Sequence, residues 1–149
     1  MFSGHYQHGI DDKGRVAIPI DFRGAPSGLQ GERLFITKFR VEGRPCLDAY
    51  PVAAWQRLQE KLATKNRFDP EVMRFRRAYV SAARECLIDA QGRILIPPLL
   101  RQYAGLKRDV MFTGETDYFQ IWDRDAWQSM AVEDERIFDD PQRMKALDL

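Results

Sequence analysis

The apolar residues of this chain fall in short alternating runs broken by glycine, proline and aspartate, a pattern of brief strands rather than long helices. Residues 2–9, with Gly4 and Gly9 around His5-Tyr6-Gln7-His8, fit a polar-aromatic edge strand. Asp11-Asp12-Lys13-Gly14 reads as a turn in which Gly14 supplies a positive φ. Arg15-Val16-Ala17-Ile18 follows as a strand, with Val16 and Ile18 on the core face and Arg15 and Ala17 on the other. Pro19 has no N–H for a ladder, so it ends the strand and opens a helical turn. Further strands are predicted at 34–37, 46–50, 110–113 and 118–122.

Helical signals punctuate these strands. Pro51 opens a helix in which Trp55, Leu58 and Leu62 share a face. Asp69-Pro70-Glu71 combines a cap, a first-turn proline and an acid at the positive end of the dipole. The stripe Val72, Phe75, Tyr79, Val80 and Ala83 extends that helix to about residue 84. Pro97-Pro98 starts a short helix closed by Gly105, and Asp123 caps another that carries Trp127 and Met130. Residues 139–149 show no apolar period and are expected to fray.

The pattern occurs twice. Ile10, Asp11, Gly14, Arg15, Ile18 and Pro19 return as Ile88, Asp89, Gly92, Arg93, Ile96 and Pro97, and Arg23 returns as Arg101, all displaced by 78 residues. Ala54-Trp55-Gln56 returns as Ala126-Trp127-Gln128 after 72. Two echoes in one order mark a tandem duplication. We divide the chain into repeats at 1–64 and 85–130, a connecting helix at 65–84 and an acidic tail at 131–149. Each half approaches the size at which a lone core becomes marginal, so the halves are expected to share one.

Composition narrows the function. The chain has 149 residues, 44% hydrophobic and 30% charged, with a formal charge of +1. No apolar run reaches the ~20 residues of a membrane span, and the first residues lack the pattern of a secretory signal. Cys46 and Cys86 stand apart and read as reduced thiols, so a cytoplasmic protein is expected. The charge is unevenly spread: residues 115–149 hold ten acids and four bases, leaving +7 on the rest. Three tryptophans and nine phenylalanines exceed what a small core should hide, which points to an oligomer.

No catalytic constellation emerges. His5 and His8 fall on opposite faces of a strand without a third ligand, and neither cysteine has an activating base beside it. Asp11 and Asp12 diverge on a turn, and Ala90 replaces Asp12 in the second copy. Gly14 and Gly92 are single glycines, not a phosphate-cradling loop. No metal, cofactor or small-molecule substrate is expected. The repeated Asp-x-x-x-Arg unit is different. Asp11 and Asp89 can fix the turns by accepting backbone N–H bonds. Arg15 and Arg93 leave those turns on strands, and a guanidinium held so suits phosphates or guanine edges. Lys13 adds a charge at the first tip, and Gln91 a hydrogen-bonding group at the second. The alternative is an Asp–Arg ion pair that only stiffens each turn, in a ring-forming scaffold. Arg74, Arg76, Arg77 and Arg84 form a basic set on the connecting helix that reads as a solvated or partner-facing surface.

The order and spacing of these motifs resemble the MraZ family of bacterial transcriptional regulators, which carry two SpoVT-AbrB-type units. The resemblance rests on Met1-Phe2-x-Gly4, Ile10-Asp11-x-Lys13-Gly14-Arg15 and Tyr50-Pro51 with Trp55. It continues through Asp89-x-Gln91-Gly92-Arg93-Ile94-x-Ile96-Pro97, Leu100-Arg101, Ala104-Gly105-Leu106 and Phe119-Gln120-Ile121-Trp122. It implies an α+β, mainly β fold: a pseudo-twofold swapped-hairpin β-barrel from two repeats with short flanking helices. It also implies a ring-shaped homo-oligomer that binds double-stranded DNA at short direct repeats upstream of a cell-division and cell-wall gene cluster. The family's DNA-contacting arginine maps onto Arg15 and its second copy onto Arg93. Gln120 departs from the family pattern, where an acid is common, and Arg44-Pro45 is expected in a long connection between strands.

Overall fold

The computed structural model describes residues 1–23 and 32–149. Its strands are β1 (His5–Gly9), β2 (Arg15–Ala17), β3 (Arg33–Val41), β4 (Arg44–Pro51), β5 (Arg84–Leu87), β6 (Arg93–Leu95), β7 (Asp109–Gly114) and β8 (Phe119–Asp123). Short helices lie between and after them: α1 (Ile20–Arg23), α2 (Val52–Ala63), α3 (Pro70–Phe75), α4 (Pro98–Tyr103), α5 (Arg124–Asp134) and α6 (Pro141–Ala146). The fold is α+β and mostly sheet.

Six strands form one antiparallel sheet in the order β1-β7-β8-β4-β3-β5, and β2 pairs with β6 as a separate ribbon. The strands therefore do not close into a single hydrogen-bonded barrel. The prolines explain why. Pro19 and Pro97-Pro98 stop β2 and β6 after three residues each, too short to join β1 to β5. The first strand lies at a sheet edge, and its partner is β7 from the second half, with His5 opposite Thr113 and Gly9 opposite Asp109.

The halves share a core. Val16, Ile18, Leu34, Ile36 and Leu47 interleave with Ile94, Ile96, Phe112, Phe119 and Ile121, all 1% exposed or less. Burying one such aliphatic side chain contributes about 1.5–3 kcal/mol. A smaller cluster of Cys46, Met111, Trp122 and Met130 lies under α5. Trp55 and Trp122 are buried, and Trp127 packs edge-on against His5.

Four expectations are corrected. Arg44-Pro45 lies within β4, because the connection is a two-residue turn with Glu42 and Gly43 both at positive φ. Pro45 is tolerated because β8 pairs β4 only over Leu47–Ala49. The helix from Asp69 does not reach residue 84. It widens into a π turn at Arg76–Val80, where Ser81 N donates to Arg76 O, and Arg84 already starts β5. That widening sets Tyr79 O–H on Asp48 and Arg76 Nη2 on Leu62 O, so tertiary bonds replace ordinary helix geometry. Arg84 therefore belongs to a strand, not to the helix. Finally, residues 141–146 form α6, whose first amides donate to Asp140 Oδ1.

Candidate nucleic-acid interface

Each box builds the same turn from its aspartate. Asp11 Oδ1 accepts the amides of Lys13 and Arg15, both at 2.9 Å, while Gly14 N donates to Asp11 O. Asp89 repeats this with Gln91 N and Arg93 N, also at 2.9 Å, and with Gly92 N on its carbonyl. These backbone donors, Arg15 N first, hold the Asp11 carboxyl down at about 2. The Arg93 amide likewise lowers Asp89. Both acids are thus anionic at any working pH, and their charge is used on the turn.

The arginines emerge on one surface. Arg15 pairs with Leu95, Val16 with Ile94 and Ala17 with Arg93. Strand alternation sends Val16 and Ile94 into the core and leaves Arg15, Ala17, Arg93 and Leu95 facing outward. Arg15 and Arg93 are diagonal neighbours across the ribbon, with Cα atoms about 7–8 Å apart. Lys13 and Gln91 occupy the two exposed turn tips.

Each arginine touches its aspartate through Nε: Arg15 to Asp11 Oδ2 at 2.7 Å, Arg93 to Asp89 Oδ2 at 3.1 Å. These are the stiffening ion pairs of the alternative reading. They are more than a third exposed on the aspartate side, where an ion pair contributes little. Each turn is already held by two backbone bonds to Oδ1. The pairs aim the arginines and leave their Nη atoms without a hydrogen bond among the described residues. A guanidinium gripped at Nε presents its outer edge, the geometry of a bidentate donor.

The two halves cross beneath this surface. Ile18 N donates to Gly92 O at 2.8 Å, and Ile96 N to Gly14 O at 3.0 Å. Arg23 Nε donates to Ile18 O and its guanidinium covers Gly92; Arg101 Nε donates to Ile96 O and its guanidinium covers Gly14. Each half's arginine thus seals the other half's turn. Sequence reasoning registered the recurrence of Arg23 at Arg101 but gave neither a role; their shared displacement of 78 was the available signal.

Other titratable groups sit apart from the boxes. Burial pushes the Cys46 thiol far up and Cys86 to about 11, so neither offers a thiolate at neutral pH. His5 packs on Trp127, while His8 Nδ1 lies 2.7 Å from Ala17 O, behind the ribbon. Of the basic set, Arg74 pairs with Glu71 and Arg76 binds Leu62 O. A buried polar network also escaped sequence reading. Asp48, opposite Gln120 across β4 and β8, accepts Tyr79 O–H and Gln120 Nε2, and Gln120 Oε1 accepts Trp122 Nε1. Gln120 thereby supplies a donor where a second acid would have faced Asp48.

Comparison with known proteins also finds two successive units in the chain. The family model described as "MraZ protein, putative antitoxin-like" matches it twice, at residues 1–78 and 80–148. A protein of Acetivibrio thermocellus named "Transcriptional regulator MraZ" is 43% identical over 129 residues, 87% of this chain and 85% of its own. Proteins of the same name from Actinobacillus pleuropneumoniae and Leuconostoc citreum are 40% and 39% identical, over 90% and 94% of this chain and 87% and 93% of theirs. Such matches span both boxes and nearly the whole length: the chain belongs to the MraZ family.

Proposed function

We propose that this protein is a sequence-specific DNA-binding regulator of transcription, and that the β2–β6 ribbon is its DNA-contacting surface. The observation that carries this is the pair of Asp-set turns that deliver Arg15 and Arg93 to one outward face, with Nη atoms that make no hydrogen bond among the described residues. A two-stranded ribbon fits the major groove, where arginine reads guanine O6 and N7 bidentately. Lys13 and Gln91 at the tips would meet the flanking phosphates or base edges. Asp11, Gly14, Asp89 and Gly92 set the turns. The crossed pairing of the boxes supports a swapped-hairpin, pseudo-twofold unit made of repeats 1–64 and 85–130, joined through 65–84 and followed by the tail 131–149.

One ribbon carries few cations, so a single copy would hold DNA weakly and lose it with added salt. Assembly into a ring would offer several ribbons to several direct repeats and raise the effective concentration of each further contact. We place those repeats upstream of a cell-division and cell-wall gene cluster, and the protein in the cytoplasm at the nucleoid. The ion pairs at 2.7 and 3.1 Å favour the scaffold reading in one respect only, that they are formed without DNA. A gel shift and footprint with the DNA upstream of the protein's own gene separates the two. Specific protection at repeated sites is expected; sequence-independent binding or none would leave the scaffold.

A further inference from the structure

Among the described residues, strand β3 is only partly paired. On one side β4 pairs it along its whole length, but on the other β5 reaches only Arg33–Ile36. Beyond Ile36 the strand edge faces two adjoining hollows of about 350 and 400 Å3, one toward the π turn and one toward α4. Open strand edges of this kind are pairing and docking surfaces unless something covers them. The walls are apolar and basic together. Phe75 and Leu99, the latter 71% exposed, flank Tyr103, whose ring carries Lys38 Nζ at 5.5 Å and Arg40 Cζ at 5.7 Å. Arg84 completes the rim. Lys38, Arg40 and Arg84 make no ion pair among the described residues.

The same chain carries the complementary surface elsewhere. After α5 a 3-10 turn at Glu135–Asp139 presents Phe138, 72% exposed, with Glu135 one turn before it and Asp139 beside it. Asp134, Glu135 and Asp139 also make no ion pair among the described residues. In its own chain this arm packs against α5 and α6, and α5 lies on β7 and β8. An exposed aromatic beside acids, and an aromatic-lined hollow rimmed by bases, neither set ion-paired among the described residues, are complementary surfaces. A phosphate backbone would satisfy the bases but leave Phe75, Leu99 and Phe138 in water.

We propose that the groove along the open edge of β3 receives the C-terminal arm of a second copy of the chain. Phe138 enters beside Tyr103, and Glu135 and Asp139 meet Lys38, Arg40 and Arg84. The contact joins two different patches, so a pair of copies still offers one groove and one arm. Such head-to-tail contacts close into a ring where the rotation between copies closes and extend into a filament where it does not. This inference rests on the homo-oligomer reading above and names its interface.

The test uses two full-length variants, one with Arg40→Glu and Arg84→Glu in the groove, the other with Phe138→Ser and Asp139→Lys in the arm. Light scattering should show the parent assembled and each variant alone at the 17.4 kDa of one chain. Mixed, the variants should form a one-to-one complex and nothing larger, because only one working groove meets one working arm. All four positions are exposed, and matched circular dichroism melts establish that the variants fold; if one melts early, Lys38→Glu or Phe138→Ser alone takes its place. Variants that keep the parental assembly, or a mixture that stays apart, overturn this contact while leaving the oligomer reading intact. A parent that runs as a single chain overturns both. Groove variants that stay assembled but lose DNA affinity assign the groove to nucleic acid instead.

Discussion

Replacing Gly14 by alanine strikes the box where the two halves cross. Gly14 holds φ at +87° under the Arg101 guanidinium, and a Cβ there would lie 2.4 Å from Cζ and 2.7 Å from Nε. Two costs follow. An L side chain in the left-handed region loses about 1–2 kcal/mol. The guanidinium, being the mobile end of its chain, swings aside and gives up its 2.9 Å bond to Ile96 O. A charged donor's bond contributes about 1.5–3 kcal/mol, but Arg101 is half-exposed and water recovers part of it, leaving about 1 kcal/mol. Gly14→Ala should therefore destabilise the fold by about 2–3 kcal/mol, a fall in Tm of roughly 4–12 °C. The assay is a double-mutant cycle with Arg101→Ala, followed by urea unfolding. Without the guanidinium, Gly14→Ala should cost only the backbone part, giving a coupling of about 1 kcal/mol. An additive cycle, or a single-variant cost below about 0.5 kcal/mol, would refute the claim that Arg101 seals the first turn.

Losing Arg15 should remove about 1–3 kcal/mol of base contact per engaged site, so Arg15→Ala should abolish detectable operator binding in a multivalent assembly while leaving the melting curve nearly unchanged; unchanged binding in a gel shift would favour the scaffold. Lys13→Ala should weaken binding and flatten its salt dependence, whereas Gln91→Ala should weaken it at constant slope, because only the lysine releases a counterion; equal slopes in a salt titration would contradict this. Burial raises the Asp48 carboxyl above its usual 3.8 despite its bonds from Tyr79 and Gln120. The folded state then binds that proton more tightly than the unfolded one, so this contribution is present at low pH and is lost as pH rises through the folded value. Urea midpoints between about pH 4 and about pH 7 should show parent stability declining relative to Asp48→Asn, and a pH-independent difference would count against it. Asp123→Ala should cost about 1 kcal/mol by freeing Ala126 N at the start of α5, read from the thermal midpoint.

Local chemistry made much of this protein legible without coordinates. The Asp-x-x-x-Arg turn is closed by bonds within five residues, so its shape is written where it stands. The prolines that stop β2 and β6, and the caps at Asp69 and Asp123, act at equally short range. The alternation that buries Val16 and Ile94 fixed the outward face of Arg15 and Arg93. The same cap-and-proline signal was present at Asp140-Pro141, but an exposed helix has no apolar stripe to announce it. Other features had no local cause. Glu42 takes a positive φ because the twist of β3 and β4 demands it, against its own preference. Which strand completes β1, the wider turn that carries Tyr79 to Asp48, and the exchange of Arg23 and Arg101 between halves depend on residues tens of positions apart. Those contacts form only when the duplicated halves condense on one core, because the guanidinium that covers each turn's glycine comes from the other half.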